Sequence, residues 1–321
     1  MYSIQDIKNK LSVNLDKKSI VFPEGEATVI QNVAKTLVEE KLGNPILLFK
    51  NEVDIPSDLK NHSDIKVIAI DKLDTATLEE KFVEIRKGKA TIEVAKQMMQ
   101  LPNYVGAMLV KMNQADCMLS GLNNTTADTI RPALQIIGTK PGYSIASSVF
   151  IMSKGEENYI FTDCALNIRP TSEQLADMTD MAADFAKTLN VKNVEAALLS
   201  YSTNGSGKGE DVDRVRAAAK ILKNKEKDYL ADGEIQFDAA FDKSVRDKKF
   251  PNNLLTKQTP DIFIFPDINA GNIGYKIAQR MGGFEAIGPF VLGLNQPVND
   301  LSRGATLVDV LNTAIMTLHL S

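Results

Sequence analysis

Apolar positions occur along this chain in two alternating forms: short continuous runs, and longer stretches in which they return every three or four residues. SIVFPEG, from Ser19, is of the first form and predicts a buried strand ending in a turn. The stretch from about Ala27 to Lys41 is of the second and predicts a helix. PILLFK and IKVIAI, Ile65 to Ile70, are further strands, and the polar segment Thr75 to Gln100 is helix-prone. Such alternation is the grammar of a parallel sheet covered by helices. LPNYVGAMLVKMNQ then reads as helical or turn-rich, and ADCMLSG, Ala115 to Gly121, as a strand. NNTTADTIRPALQIIG predicts a helix that opens on several N-cap residues, with Pro132 either kinking it or marking its first turn.

The grammar changes after Lys140-Pro141-Gly142. YSIASSVFIMSK and ENYIFTDCALN flank the turn signal KGEEN, which predicts an antiparallel pair and a domain boundary near residue 142. Pro170 to Leu189 predicts a long helix with Thr171 or Ser172 near its start, and VEAALLS a strand. Val212, Val215, Ala219 and Leu222 share one side of the helix that follows. DGEIQFDAAF, Asp232 to Phe241, reads as a turn leading into a helix. Asp261 to Phe265 is a strand, followed by a helix from about Ile273 to Met281, and FEAIGPFVLGLNQPVND is a final strand.

That strand runs into PVNDLSRGATLVDVL, the stretch richest in candidate chemistry. Leu307, Val308, Leu311, Ala314, Ile315 and Leu318 fall on one helical face, with Asp309 pointing roughly the opposite way. Ser302, Arg303 and Asp309 place a hydroxyl, a guanidinium and a carboxylate at a loop-to-helix junction, a set suited to an anionic substrate. Thr306 and Asp309 equally fit a capping box, in which the carboxylate only satisfies backbone donors. Two more arginines are candidates. Arg86, in RKGK, belongs either to a ligand site or to a solvated helix end, and Arg131, before Pro132, either binds phosphate or lies on the surface. Ser206 and Lys208, among Gly205, Gly207 and Gly209, suit an anion-binding turn between strand and helix. The spacing matches neither a Walker A loop nor a dinucleotide fingerprint, so a polar loop is the plain alternative. Asn269 and Asn272 lie in the turn after the Asp261 strand, where open α/β sheets bind ligands.

Composition narrows the classes. With 321 residues, 44% hydrophobic and 24% charged, the chain is long enough for two domains and too rich in apolar residues for disorder. No apolar run approaches a membrane span, and MYSIQDIKNKL has neither a signal-peptide core nor a transit-peptide composition, so a cytoplasmic protein is expected. A net charge of -4 argues against general nucleic-acid binding. Cys117 and Cys164 are far apart and without a CxxC partner, which disfavours a disulfide framework or a zinc site. The two histidines, His62 and His319, sit in no recognisable triad or metal setting.

Taken together, IVFPEGE, PNYVGAMLVKM, TTADTIRPALQII, SYSTNGSGKGEDVDRVRAA, DGEIQFDAAF, PDINAGNIGYKIAQR and PVNDLSRGATLVD make the chain resemble, from end to end, the short bacterial phosphate acetyltransferases of the phosphate acetyl/butyryltransferase family. The resemblance implies two α/β/α domains with mainly parallel sheets, like isocitrate and isopropylmalate dehydrogenases, and an active site in the interdomain cleft. It implies that the C-terminal stretch returns to the first domain, giving residues 1–142 plus 294–321 and residues 143–293. It implies the reaction acetyl-CoA + phosphate = acetyl phosphate + CoA. No tightly bound cofactor or metal is then needed, since CoA is a substrate, and stimulation by monovalent cations stays open. A homodimer and metabolic coupling to acetate kinase are implied as well. By motif, Asp309 corresponds to the general base, Ser302 to the hydroxyl that bonds the transition state, and Arg303 to the phosphate- or acyl-binding arginine. Arg86 and Arg131 match further substrate arginines. The chain departs from the family at Ala27, Thr28 and Val29, where charged residues are frequent, and at Asn124, where a histidine is.

Three competing functions follow from the same residues. A longer acyl group such as butyryl differs from acetyl by methylenes that only the pocket walls discriminate. An oxidoreductase shares the architecture, but Ser302, Arg303 and Asp309 disfavour it. A non-catalytic CoA- or metabolite-sensing domain is disfavoured by the same intact set.

Overall fold

The chain, described over residues 3–321 in a computed structural model, divides into two compact units: Ser3–Pro141 with Leu294–Ser321, and Gly142–Gly293. In the first unit the elements run α1 (Ile4–Val13), β1 (Ser19–Phe22), α2 (Thr28–Glu39), β2 (Asn44–Phe49), α3 (Ser57–Lys60), β3 (Lys66–Ala69), α4 (Ala76–Arg86), α5 (Ile92–Met98), α6 (Pro102–Lys111), β4 (Cys117–Ser120) and α7 (Thr126–Pro132). β1 and β2 are continuous apolar runs because both faces of a parallel sheet are covered; α2 meets that sheet's needs by burying Ile30, Val33, Ala34 and Leu37 at helical spacing. The helix-prone segment Thr75 to Gln100 is two helices rather than one. Lys87 and Gly88 adopt left-handed φ values of 46° and 82°, which ends α4 before Thr91 caps α5. α7 does not stop at Pro132 but continues as a π-helical turn, Ala133–Ile137, and the Asp128 carbonyl that the proline N–H cannot reach accepts from Asn103 Nδ2 at 3.0 Å.

The second unit contains β5 (Ser147–Lys154), β6 (Glu157–Thr162), α8 (Ser172–Thr188), β7 (Glu195–Leu199), α9 (Glu210–Lys223), β8 (Leu230–Ile235), α10 (Phe237–Phe241), α11 (Lys243–Lys249), β9 (Ile262–Ile264), α12 (Ile268–Arg280) and β10 (Glu285–Leu292). Its sheet order is β10-β5-β6-β9-β7-β8, antiparallel at β10, β5 and β6 and parallel beyond. DGEI, expected as a turn, is the end of β8. Its backbone pairs with β7, and only glycine fits at 233, where an added Cβ would lie 2.7 Å from Leu198 Cβ. α12 begins at Ile268, ahead of the expected Ile273, because Asp267 caps it through the Ala270 N–H at 3.0 Å.

The chain then returns to the first unit as β11 (Val298–Asp300) and α13 (Leu307–His319). The expected final strand is therefore two strands in two sheets: β10 runs antiparallel to β5, whereas β11 runs parallel to β4. The first sheet has the order β11-β4-β1-β2-β3 and is wholly parallel. α13 buries Val310, Leu311, Ala314, Ile315 and Leu318, but Leu307 and Val308 are 39% and 59% exposed, so the buried face begins one turn into the helix. Both cysteines are fully buried.

Candidate active site

In the first unit β1, β4 and β11 end side by side, and the loops leaving them carry most of the candidate residues. Glu24, two residues past β1, is buried, and its carboxylate is met by four successive backbone amides. Gly121 and Leu122 donate to Oε2 at 2.8 and 3.0 Å, and Asn123 and Asn124 to Oε1 at 2.6 and 3.1 Å. Ser120 Oγ adds a fifth bond at 3.2 Å. Such a run of amides is an anion nest, here filled by the protein's own carboxylate. It fixes the loop that leads to Thr125, whose capping box with Asp128 starts α7 and thereby places Arg131. Nothing in the hydrophobic pattern marks Glu24; its only signal is an acid directly after a buried strand.

Arg131 is exposed and lines a cavity of about 370 Å³ with Tyr104, Asn123, Asn124, Asp128 and Met98. Tyr104 donates to Gln135 Oε1 at 3.0 Å, and Arg86 Nη1 reaches the Gln135 carbonyl at 3.5 Å. Burial pushes the Tyr104 phenol up, and the positive charges of Arg131 and Arg86, both close to it, oppose that shift. The two candidate arginines, far apart in sequence, are thus linked to Tyr104 by different routes: Arg131 shares its cavity, and Arg86 bonds the residue that accepts its hydroxyl.

β11 ends in Asp300, whose carboxyl is buried. Thr126 Oγ1 donates to Oδ2 at 2.7 Å, and the Leu301 N–H bonds the Ser120 carbonyl at 2.7 Å. Ser302 and Arg303 follow, both exposed, in a turn closed by the Ala305 N–H on the Ser302 carbonyl at 2.9 Å. Asp309 is exposed in the first turn of α13. The Thr306 N–H and Oγ1 both donate to its Oδ2 at 2.8 Å, and its own N–H returns to Thr306 Oγ1 at 3.3 Å. The capping box is thus formed, with both incoming bonds ending on one carboxylate oxygen.

The remaining candidates lie in the second unit. Ser206 Oγ accepts from the Thr203 N–H at 3.0 Å, and the Gly205 and Gly207 amides bond Glu234 and Ser202 at 2.7 and 2.9 Å. The Gly205, Ser206 and Gly207 amides are thus taken by Glu234 on β8 and by Thr203 and Ser202 at the start of the loop, while the Lys208 side chain is exposed. Asn269 is exposed on the first turn of α12, and Asn272 Nδ2 donates to the Cys164 carbonyl at 3.1 Å. Asp163 repeats the device of Glu24. It follows β6 and accepts from the amides of Ala165, Leu166 and Asn167 at 2.8, 3.0 and 3.0 Å, and from Ser148 Oγ. Among the described residues no group of His, Cys, Asp and Glu side chains is arranged to hold a metal ion.

Fold and site together define a two-unit α/β protein with cationic and carboxylate groups gathered at the carboxyl ends of a parallel sheet. Comparison with known proteins gives the family: residues 3–318 match the phosphate acetyl/butaryl transferase model, and the chain belongs to that family. It is 78% identical over 321 residues to the phosphate acetyltransferase of Mycoplasma capricolum subsp. capricolum, covering 100% of both chains. A phosphotransacetylase structure from Streptococcus pyogenes matches with a TM-score of 0.92 and 45% identity over 99% of this chain and 98% of that one. The 4-hydroxythreonine-4-phosphate dehydrogenase of Klebsiella pneumoniae, 11% identical, matches with a TM-score of 0.56 over 95% of this chain and 99% of that one, a likeness of fold alone.

Proposed function

We propose that the protein is a phosphate acetyltransferase, moving an acetyl group reversibly between acetyl phosphate and CoA. The observation that carries this reading is the 78% identity, without a gap in coverage, to the Mycoplasma capricolum enzyme. Asp309 serves as general base: it takes the CoA thiol proton, a step that such groups typically accelerate about 10²- to 10⁴-fold. The thiolate attacks the acetyl carbonyl carbon, the carbon–oxygen bond to phosphate breaks, and phosphate leaves. Ser302 donates to the oxyanion, while Arg303, Arg86 and Arg131 offset the charge on phosphate. Ser206, Lys208, Asn269 and Asn272 are further candidates for substrate contacts. Direct attack is supported by the state of the cysteines. Both are fully buried, and burial pushes both thiols up, so neither is suited to carry the acyl group. No tightly bound cofactor is required.

The protein is assigned to the cytoplasm as a homodimer, coupled metabolically to an acetyl phosphate producer or consumer such as acetate kinase. No helix among the described residues is long and apolar enough to cross a membrane. Supporting the homodimer, α12 and the residue that caps its C-terminus present Ile273, Ile277 and Met281 at successive turns, 57%, 53% and 85% exposed.

The decisive assay is thioester formation from CoA with acetyl phosphate, beside butyryl phosphate and beside Asp309→Asn. Faster turnover of acetyl phosphate, lost by about 10²-fold or more in the folded variant, is the expected result. A preference for butyryl phosphate would reassign the substrate, an unaffected variant would remove the base, and no thioester from either would leave a sensing domain.

A further inference from the structure

We propose that Asp300 is a positioning residue for the acyl transfer, acting through Ser302 and Arg303 by tying their turn to the start of the helix that carries Arg131. The inference rests on the assignment of Ser302 and Arg303 as substrate-contacting groups.

Three observations lead to it. First, Asp300 is 3% exposed yet meets no backbone amide on its carboxyl: Oδ2 takes one bond, from Thr126 Oγ1 at 2.7 Å, while Oδ1 and the buried Thr129 hydroxyl that faces the carboxyl form no hydrogen bond of normal geometry. The other buried carboxylates in comparable places are fully met. Glu24 has five donors, and Glu195 receives the Thr256 and Lys257 amides and the Thr256 hydroxyl. A buried carboxyl left half-paired costs stability, so packing alone does not account for it. Second, its surroundings are built to hold it in one place. Gly121 has φ +106°, and a Cβ there would lie 2.2 Å from Asp300 Oδ1, so the backbone is pressed against the carboxyl. Third, its connections run to the site on both sides. Asp300 stands two residues before Ser302 on a strand end fixed by the Leu301–Ser120 bond, and Thr126 is the first residue of α7. One side chain thus spans the segment of Ser302 and Arg303 and the helix of Arg131.

The charges that face this carboxyl fit the same role. Burial, reinforced by Glu24, pushes it up to about 6, and the Thr126 and Thr129 hydroxyls and Arg303 pull the other way. Above that pH the group is a carboxylate that holds Thr126 and attracts Arg303; below it, the pull on Arg303 is lost.

The test is a mutant cycle of Asp300→Asn with Ser302→Ala and with Arg303→Ala, assayed with acetyl phosphate and CoA from about pH 5.5 to 8.5. In the wild-type background Asp300→Asn should lower kcat by about 10- to 100-fold, the scale of a small misplacement of reacting groups. It should change the CoA KM by less than about 3-fold, and it should abolish an acid limb near the pH at which the carboxyl titrates. In either second background its cost should shrink to less than about 3-fold, because the groups it acts through are gone. Equal costs in all backgrounds, or unchanged kcat and pH profile, overturn the proposal in favour of a purely structural residue. Should Asp300→Asn not fold, Thr126→Val removes the same bond from the exposed side, and full kcat in that folded variant overturns it too. Ser302→Ala and Arg303→Ala with wild-type kcat would instead sink the assignment on which the proposal stands.

Discussion

Glu24, Asp163 and Asp300 end or follow strands and are all nearly inaccessible, yet only the first two have their charge met by converging amides. The difference has a consequence for stability that can be given a sign. The Asp300 carboxyl lies at about 6 rather than its ordinary 3.8, so the folded state holds this proton more tightly than the unfolded chain does. Its stabilising contribution is complete below about pH 4 and is lost as pH rises through about 6. The loss is bounded at roughly 3 kcal/mol, since each tenfold gain in proton affinity is worth about 1.4 kcal/mol. Urea midpoints at about pH 5 and pH 8 should therefore fall less with rising pH in Asp300→Asn than in wild type. Parallel pH dependence in the two proteins would show that the carboxyl titrates normally. Asp309 has the opposite character: it is exposed, it caps α13, and its neighbours in sequence already announce it.

At the scale of elements, local grammar and tertiary pairing can be separated. The strands β1 to β4 and the helices α8 and α13 are legible because their information is local. They consist of apolar runs, a period near three and a half, and the capping boxes Thr171–Gln174 and Thr306–Asp309. DGEI is not legible, since a turn-like composition becomes a strand only through pairing with β7. The break between α4 and α5 is of intermediate kind. A glycine marks the place in the sequence, but Lys87 takes the left-handed conformation just before it, at φ 46°, where a side chain is strained. Lys87→Gly should then stabilise the fold by about 0.5 to 1 kcal/mol, read as a higher thermal midpoint with unchanged activity. A lower midpoint would mean that the lysine side chain contributes more than its backbone conformation costs.

For the whole molecule, the exposed stripe Ile273, Ile277 and Met281 is a feature that a single chain leaves unexplained. Its spacing fits a helix face that meets a second copy of itself, as in a closed two-fold assembly. Mass measurement at micromolar concentration should give a dimer for the wild type and a shift toward monomer for Ile277→Glu, because a charge at the centre of an apolar contact is costly. A wild-type monomer, or a dimer indifferent to the change, would place the contact elsewhere or remove it.

By itself the sequence determined the alternation of strands and helices, the capped C-terminal helix and the candidate trio Ser302, Arg303 and Asp309, because each is encoded within a few residues of chain. Tertiary structure decided what depends on distant segments. It set β11 beside β4 while β10 joined the other sheet, and it filled the amides of Gly121 to Asn124 with a carboxylate 97 to 100 residues earlier. It also linked Arg86 and Arg131 to one tyrosine by different routes and buried Asp300 against Thr126 and Gly121. The physical reason is the same in each case: periodicity reports which face of an element is apolar, whereas the partner of a buried charge is fixed only when separate strand ends are brought together.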